Sequence, residues 1–165
     1  MKSVVALACL LAGCGSQPVA RQPDSAGARL EAAAQRAGLV AAPASATVIG
    51  SWARDTDRMC VLPGSAGLYR IGVSLDYGEG QGCAATGVAR RQGDRLTVTF
   101  GACRFEASFD GERIAFPATV PAACDRFCTG RTTLAAMTVE HLSESASEAE
   151  MLRSPGGKLL CTERP

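Results

Sequence analysis

Apolar and polar side chains alternate without a break between residues 68 and 77. Tyr69, Ile71, Val73, Leu75 and Tyr77 are separated by Arg70, Gly72, Ser74 and Asp76. A period of two puts all five apolar groups on one side of an extended strand, whereas a helix would scatter them around its axis. The stretch therefore reads as an antiparallel strand with one buried face. Further strands are expected at 48–54, 59–62, 83–91 and 131–141, and on either side of Gly101. Asp110-Gly111 is a dipeptide that type I′ hairpin turns favour. A two-residue turn there sets Ala107 opposite Ile114 and Phe105 opposite Phe116, with the apolar faces coinciding. At Gly101-Ala102 the same test sets Phe100 opposite Cys103 and Val98 opposite Phe105. The apolar positions switch from even to odd numbers there, so Gly101 marks either a turn or a bulge. About seven to nine short strands joined by Gly-rich turns predict a mainly β fold, a small antiparallel meander barrel or sandwich.

One short helix is expected at each end. Residues 28–37 carry strong helix formers, and Gly38 stands where a C-terminal cap belongs. The Ser-rich, acidic stretch 143–153 holds Ser145 and Glu148 at the spacing of a capping box. Around the first helix, residues 15–46 are rich in Ala, Pro, Ser and Gly with few large apolar side chains. Such a segment buries too little surface to offset its ordering entropy. Residues 14–46 read as a tether, with a reach of about 30 Å for a flexible chain of that length. The domain proper is 47–165.

The first residues specify a destination. Lys2 precedes an apolar run over residues 4–12 that is far shorter than the roughly 20 residues a membrane-spanning helix needs. The run closes on Leu11-Ala12-Gly13-Cys14. This motif resembles the lipobox of bacterial lipoproteins. The resemblance implies a signal peptide over 1–13, cleavage before Cys14, a thioether-linked diacylglycerol on the Cys14 thiol and acylation of its new amine. Two or three acyl chains, at about 0.8 kcal/mol per buried methylene, make such anchoring nearly irreversible. In that class an Asp after the lipidated Cys retains the protein in the inner membrane. Gly15 stands there instead, so the implied address is the outer membrane, facing the periplasm.

Cysteine usage agrees with export. Of the eight Cys, Cys9 lies in the leader and Cys14 at its end, which leaves Cys60, Cys83, Cys103, Cys124, Cys128 and Cys161. An even set in an oxidising envelope reads as up to three disulfides. A hairpin centred on Gly93 sets Cys83 opposite Cys103, at a separation that a disulfide tolerates. Cys60 with Cys161 then ties the ends of the domain, and Cys124 with Cys128 is what remains. Without Lys2 the charges balance at 16 basic against 16 acidic residues, so nothing points to nucleic acid or to a polybasic membrane patch.

Few residues invite a chemical role. Gly50-Ser51-Trp52 resembles the Gly-x-Trp signature at the first strand of lipocalin-like barrels. That resemblance implies a ligand cup closed at one end by Trp52; the residues alone favour an ordinary core tryptophan. Cys124 and Cys128, with His141 or Met137, form a soft donor set similar to that of envelope copper chaperones. Those chaperones are thioredoxin-like, and this chain shows no alternation of strands and helices, so disulfide pairing is expected and no metal or cofactor. Tyr77-Gly78-Glu79-Gly80-Gln81-Gly82 lacks the Lys-Ser/Thr and the helix of a phosphate cradle and reads as a hairpin loop. His141 is the sole histidine and no Ser sits in a nucleophile-elbow context, so no enzyme is expected. Glu140, Glu144 and Glu148 read as a solvated face. Ala85, Gly87 and Ala89 either leave a groove or permit close packing. The expected function is that of a lipid-anchored binding module for an envelope partner or a small ligand. A structural or assembly lipoprotein, or one that inhibits lysozyme or proteases, is the alternative. An apolar cavity favours the small ligand; a closed barrel with a projecting loop favours the inhibitor.

Overall fold

The computed structural model of the protein describes residues 25–39 and 44–161. The motif ending at Cys14, with its expected cleavage and acylation, lies outside the described residues. In the N-terminal unit one helix, α1 (Ala26–Arg36), begins where the Ser25 hydroxyl accepts the Ala28 N–H at 3.1 Å. It ends at Gly38, whose φ of 69° suits the residue after a helix C-cap. No residue of α1 is buried.

The second unit is built from β1 (Gly50–Arg54), β2 (Asp57–Pro63), β3 (Tyr69–Asp76), β4 (Gly82–Gln92), β5 (Arg95–Phe100), β6 (Cys103–Phe109), β7 (Arg113–Ala115), β8 (Cys128–Thr129) and β9 (Thr138–Ser143), followed by α2 (Ala146–Met151). Strands β1 to β7 pair antiparallel in chain order, and β9 enters between β7 and β1 to close an eight-stranded barrel; β8 pairs only with the start of β4. The mainly β meander expected from the alternation is therefore a barrel. The strand expected at 131–141 is the one that moves most. Only β9 is extended, and the residues before it turn so that Leu134 and Met137 plug the barrel end.

Register follows turn chemistry. Phe100 faces Cys103 and Val98 faces Phe105, so Gly101, at a φ of 57°, is a turn. The turn at Asp110-Gly111 is longer than two residues. The Asp110 carboxylate accepts the N–H groups of Glu112 at 3.1 Å and Arg113 at 2.7 Å. Phe109 therefore faces Ile114, not Ala107. The shift is two residues, so every apolar side chain keeps its face.

The cysteines correct two of the three expected pairings. Cys60 does bond Cys161, but Cys83 bonds Cys128 and Cys103 bonds Cys124, with Cα atoms 4.0 and 4.7 Å apart. Gly93 and Asp94 together form the β4–β5 turn, with Gln92 opposite Arg95, so the pairing is one residue out of the register that would oppose Cys83 and Cys103. Moreover β4 leaves β5 beyond Val88. Both bonds instead staple the 116–137 segment over one end of the barrel. At the other end, Trp52 Nε1 donates to the Val48 carbonyl at 3.1 Å and the Arg91 guanidinium donates to the Ala46 carbonyl at 2.6 Å.

The strands β2 and β3 are buried on both faces, which explains the unbroken apolar run Met59-Cys60-Val61-Leu62. Inside the barrel lies the main core. Outside, Cys60 and Leu62 pack with Ala149, Leu160, Cys161 and Leu152 in a second small cluster. Residues 152–161 thus form a strap across the outer wall. Gly72 is required beneath it, because a Cβ there would stand 2.0 Å from the Leu160 carbonyl oxygen.

Candidate functional site: a cleft on the outer wall

Trp52 is fully buried. Its ring stacks on His141 at 4.1 Å between centroids and meets Phe109 edge-to-face at 5.9 Å, while the Arg91 guanidinium lies over the Phe109 ring at 4.5 Å. It stands in one continuous cluster with Met59, Leu96, Phe100, Phe105 and Phe116. The barrel axis is filled by side chains, and Trp52 acts there as a packing residue. The Nε2 atom of His141 is buried and has no hydrogen-bond partner among the described residues.

The other sequence candidates are dispersed. Cys124 and Cys128 are both oxidised, each with a different partner, and so offer no thiolate to a metal. Met137 is buried in the core and His141 lies against Trp52. Glu140 is on β9, where it meets Arg113 at 3.2 Å, and Glu148 is on α2, so no helix stacks them with Glu144. Among the described residues, no group of three or more His, Cys, Asp or Glu side chains is placed to hold a metal ion. Residues 77–81 are the expected hairpin loop, with Tyr77 exposed. Ala85 and Ala89 are buried, and the missing side chain of Gly87 lets the Thr99 carbonyl approach, so Gly87 and Ala89 serve close packing.

A cleft nevertheless forms on the outer side of β4. Its volume is about 290 Å³, and it is lined by Ala84, Ala85, Thr86, Phe127, Ser154, Lys158, Leu159 and Leu160. The floor is the outward face of β4. One wall is Phe127, at the end of the 3-10 turn Ala122–Phe127, and the other is the strap. The strap wall is fixed by its own turn. Ser154 N–H donates to the Lys158 carbonyl and Gly157 N–H to the Ser154 carbonyl, both at 2.8 Å, and the Arg153 guanidinium donates to the Gly157 carbonyl at 2.8 Å. Lys158 is the only charged side chain in the lining among the described residues, and the only lysine after Lys2. Sequence reading missed this site because its two walls come from distant segments, the strap tied to β2 by the Cys60–Cys161 bond and Phe127 held beside β4 by the Cys83–Cys128 bond. The visible signals were Gly72 in a buried strand and a cysteine near the end of the chain.

Electrostatics at the start of β2 are mildly unfavourable. Asp57 has its carboxyl pushed above the ordinary carboxylate value, first by burial and then by Asp55, with Arg58 and Arg54 pulling it down. A carboxyl whose folded value is raised binds its proton more readily in the folded state. Stability is therefore lost as pH rises from the ordinary value through the raised one. Asp57→Asn is expected to raise the unfolding temperature at pH 7 and to leave it unchanged at about pH 2, below both values; thermal melts at the two pH values check this.

A comparison with known proteins finds no family model, no curated sequence and no solved structure that matches this chain.

Proposed function

We propose that this protein is an exported lipoprotein, cut before Cys14 and anchored by acyl chains to the outer membrane, whose barrel binds an envelope partner through its outer surface. The observation that carries the reading is the pairing of all six cysteines of the domain in three disulfides. A set of bonds with none left over suits an oxidising compartment. The side chains filling the barrel move recognition from the lumen to the outside, where the cleft beside β4 lies. The lysozyme- or protease-inhibitor reading draws on a separate feature, the closed barrel with its projecting 77–81 loop and exposed Tyr77.

Expression in a diderm bacterium fed labelled palmitate tests the anchor. The wild-type chain is expected to carry label, to start at Cys14 and to sediment with outer membranes. Cys14→Ala is expected to lose the label and at least about tenfold of the membrane association, since each acyl chain contributes several kcal/mol. An uncut, unlabelled chain in the cytosol with free thiols overturns the proposal.

A further inference from the structure

We propose that the cleft beside β4 binds a short extended peptide ending in a carboxylate, which adds as a strand alongside Thr86 and sets its carboxylate against Lys158. The inference rests on reading the domain as a binding module and names the class of ligand its outer cleft takes.

The first ground is a gap in the barrel wall. Across the β3–β4 turn, Tyr77 N–H donates to the Gln81 carbonyl at 2.9 Å. In an antiparallel ladder hydrogen-bonded pairs alternate with unbonded ones, so Leu75 with Cys83 and Val73 with Ala85 exchange bonds, and the even-numbered residues of β4 point their N–H and C=O groups the other way. Gly82 follows the rule, its N–H donating to the Thr129 hydroxyl at 3.2 Å. On that side, among the described residues, β4 meets Cys128 opposite Cys83, and then no strand until Thr99 opposite Val88. Thr86 lies midway along the interruption, half-buried, with its backbone groups facing it. An N–H and a C=O facing such an interruption in register are what an added strand uses for affinity.

The second ground is charge. Among the described residues Lys158 is the only ionised group in the lining, no carboxylate accompanies it there, and none lies within ion-pair distance of it. The described lining is therefore complementary to an anion. Backbone pairing requires an extended main chain, and the free carboxylate at its end supplies the matching charge. The third ground is shape. The floor offers the small Ala84 and Ala85 and the short Thr86, whereas Phe127 and Leu159 rise at the sides, leaving room for one or two side chains in about 290 Å³.

The experiment uses the full-length protein in detergent micelles with acetyl-Val-Thr-Val as probe, once with a free carboxylate and once as the amide, read by calorimetry and by amide hydrogen exchange. The carboxylate form is expected to bind, to slow exchange at the Thr86 amide, and to bind about fivefold tighter than the amide, the range of one solvent-accessible ion pair. Lys158→Gln is expected to erase that fivefold difference while the amide form binds as before. Thr86→Pro, which removes the N–H, is expected to abolish binding of both forms. Should Thr86→Pro not fold, Ala84→Trp fills the cleft from the exposed face and is expected to do the same. Failure of both forms to bind at millimolar concentration, or undiminished binding to folded Ala84→Trp, overturns the inference. Either result leaves the lipoprotein reading standing, because that reading is decided by the palmitate label and the N-terminus at Cys14.

Discussion

Trp52→Ala is expected to destabilise the domain by about 3–5 kcal/mol, measured by urea unfolding of the oxidised protein. Three losses combine. The indole is fully buried, so its removal opens a large cavity in the main core. Its stacking on His141 at 4.1 Å and its edge contact with Phe109 disappear together. The Val48 carbonyl, which accepts the indole N–H at 3.1 Å, loses its donor at the barrel end. Domains of this size are stable by about 5–15 kcal/mol, so the variant would sit close to unfolding. Trp52→Phe separates the contributions. It keeps a ring against His141 and loses the hydrogen bond and part of the volume, and the expected cost falls to about 1–3 kcal/mol. Were Trp52 the lid of an open ligand cup, its truncation would cost far less, because water already present would fill the space.

The order of strands was legible because it is written locally. The alternation from Tyr69 to Leu75 names its own inward face, and Gly101 marks its own turn. Barrel closure was legible only as a class, since β9 meets β1 across almost the whole domain and no local signal announces that pairing. The disulfides illustrate the same limit. Cys60 with Cys161 followed from their places at the two ends of the domain, whereas Cys83 and Cys103 were assigned by extending a hairpin past the point where β4 departs from β5. Register arithmetic holds only as far as two strands stay paired, and β4 changes partner midway. That change of partner leaves the gap at Thr86 and hence one side of the cleft. The candidate site was hidden for the reason the bonds were: both depend on which segment crosses the wall, a tertiary fact with no periodicity of its own.

Removing the Cys60–Cys161 bond by the double change to Ala is expected to cost about 4 kcal/mol, the largest effect among the three disulfides. The bonded residues are 101 apart in sequence, against 45 for Cys83–Cys128 and 21 for Cys103–Cys124. The entropy a cross-link removes from the unfolded chain grows with the logarithm of the loop it closes. A second contribution is native. Cys60 and Cys161 are themselves part of the small outer cluster with Leu62, Ala149 and Leu160, so their truncation thins the contacts that hold the strap. The barrel ladder does not use the strap: every strand pairing from β1 to β9 is complete without residues 152–161. The double variant is therefore expected to unfold in two steps, with rapid proteolytic cutting near Gly156 and Gly157 while the barrel amides stay protected from exchange. Its probe binding should fall together with the strap, because Ser154, Lys158 and Leu159 form one wall of the cleft. Equal unfolding midpoints for the double variant and the wild type, with the strap intact to protease, would mean that Leu160 and Leu62 hold the strap without the bond. The loss of barrel protection along with the strap would mean that α2 and residues 152–161 are part of the barrel's own stability rather than a separable outer layer.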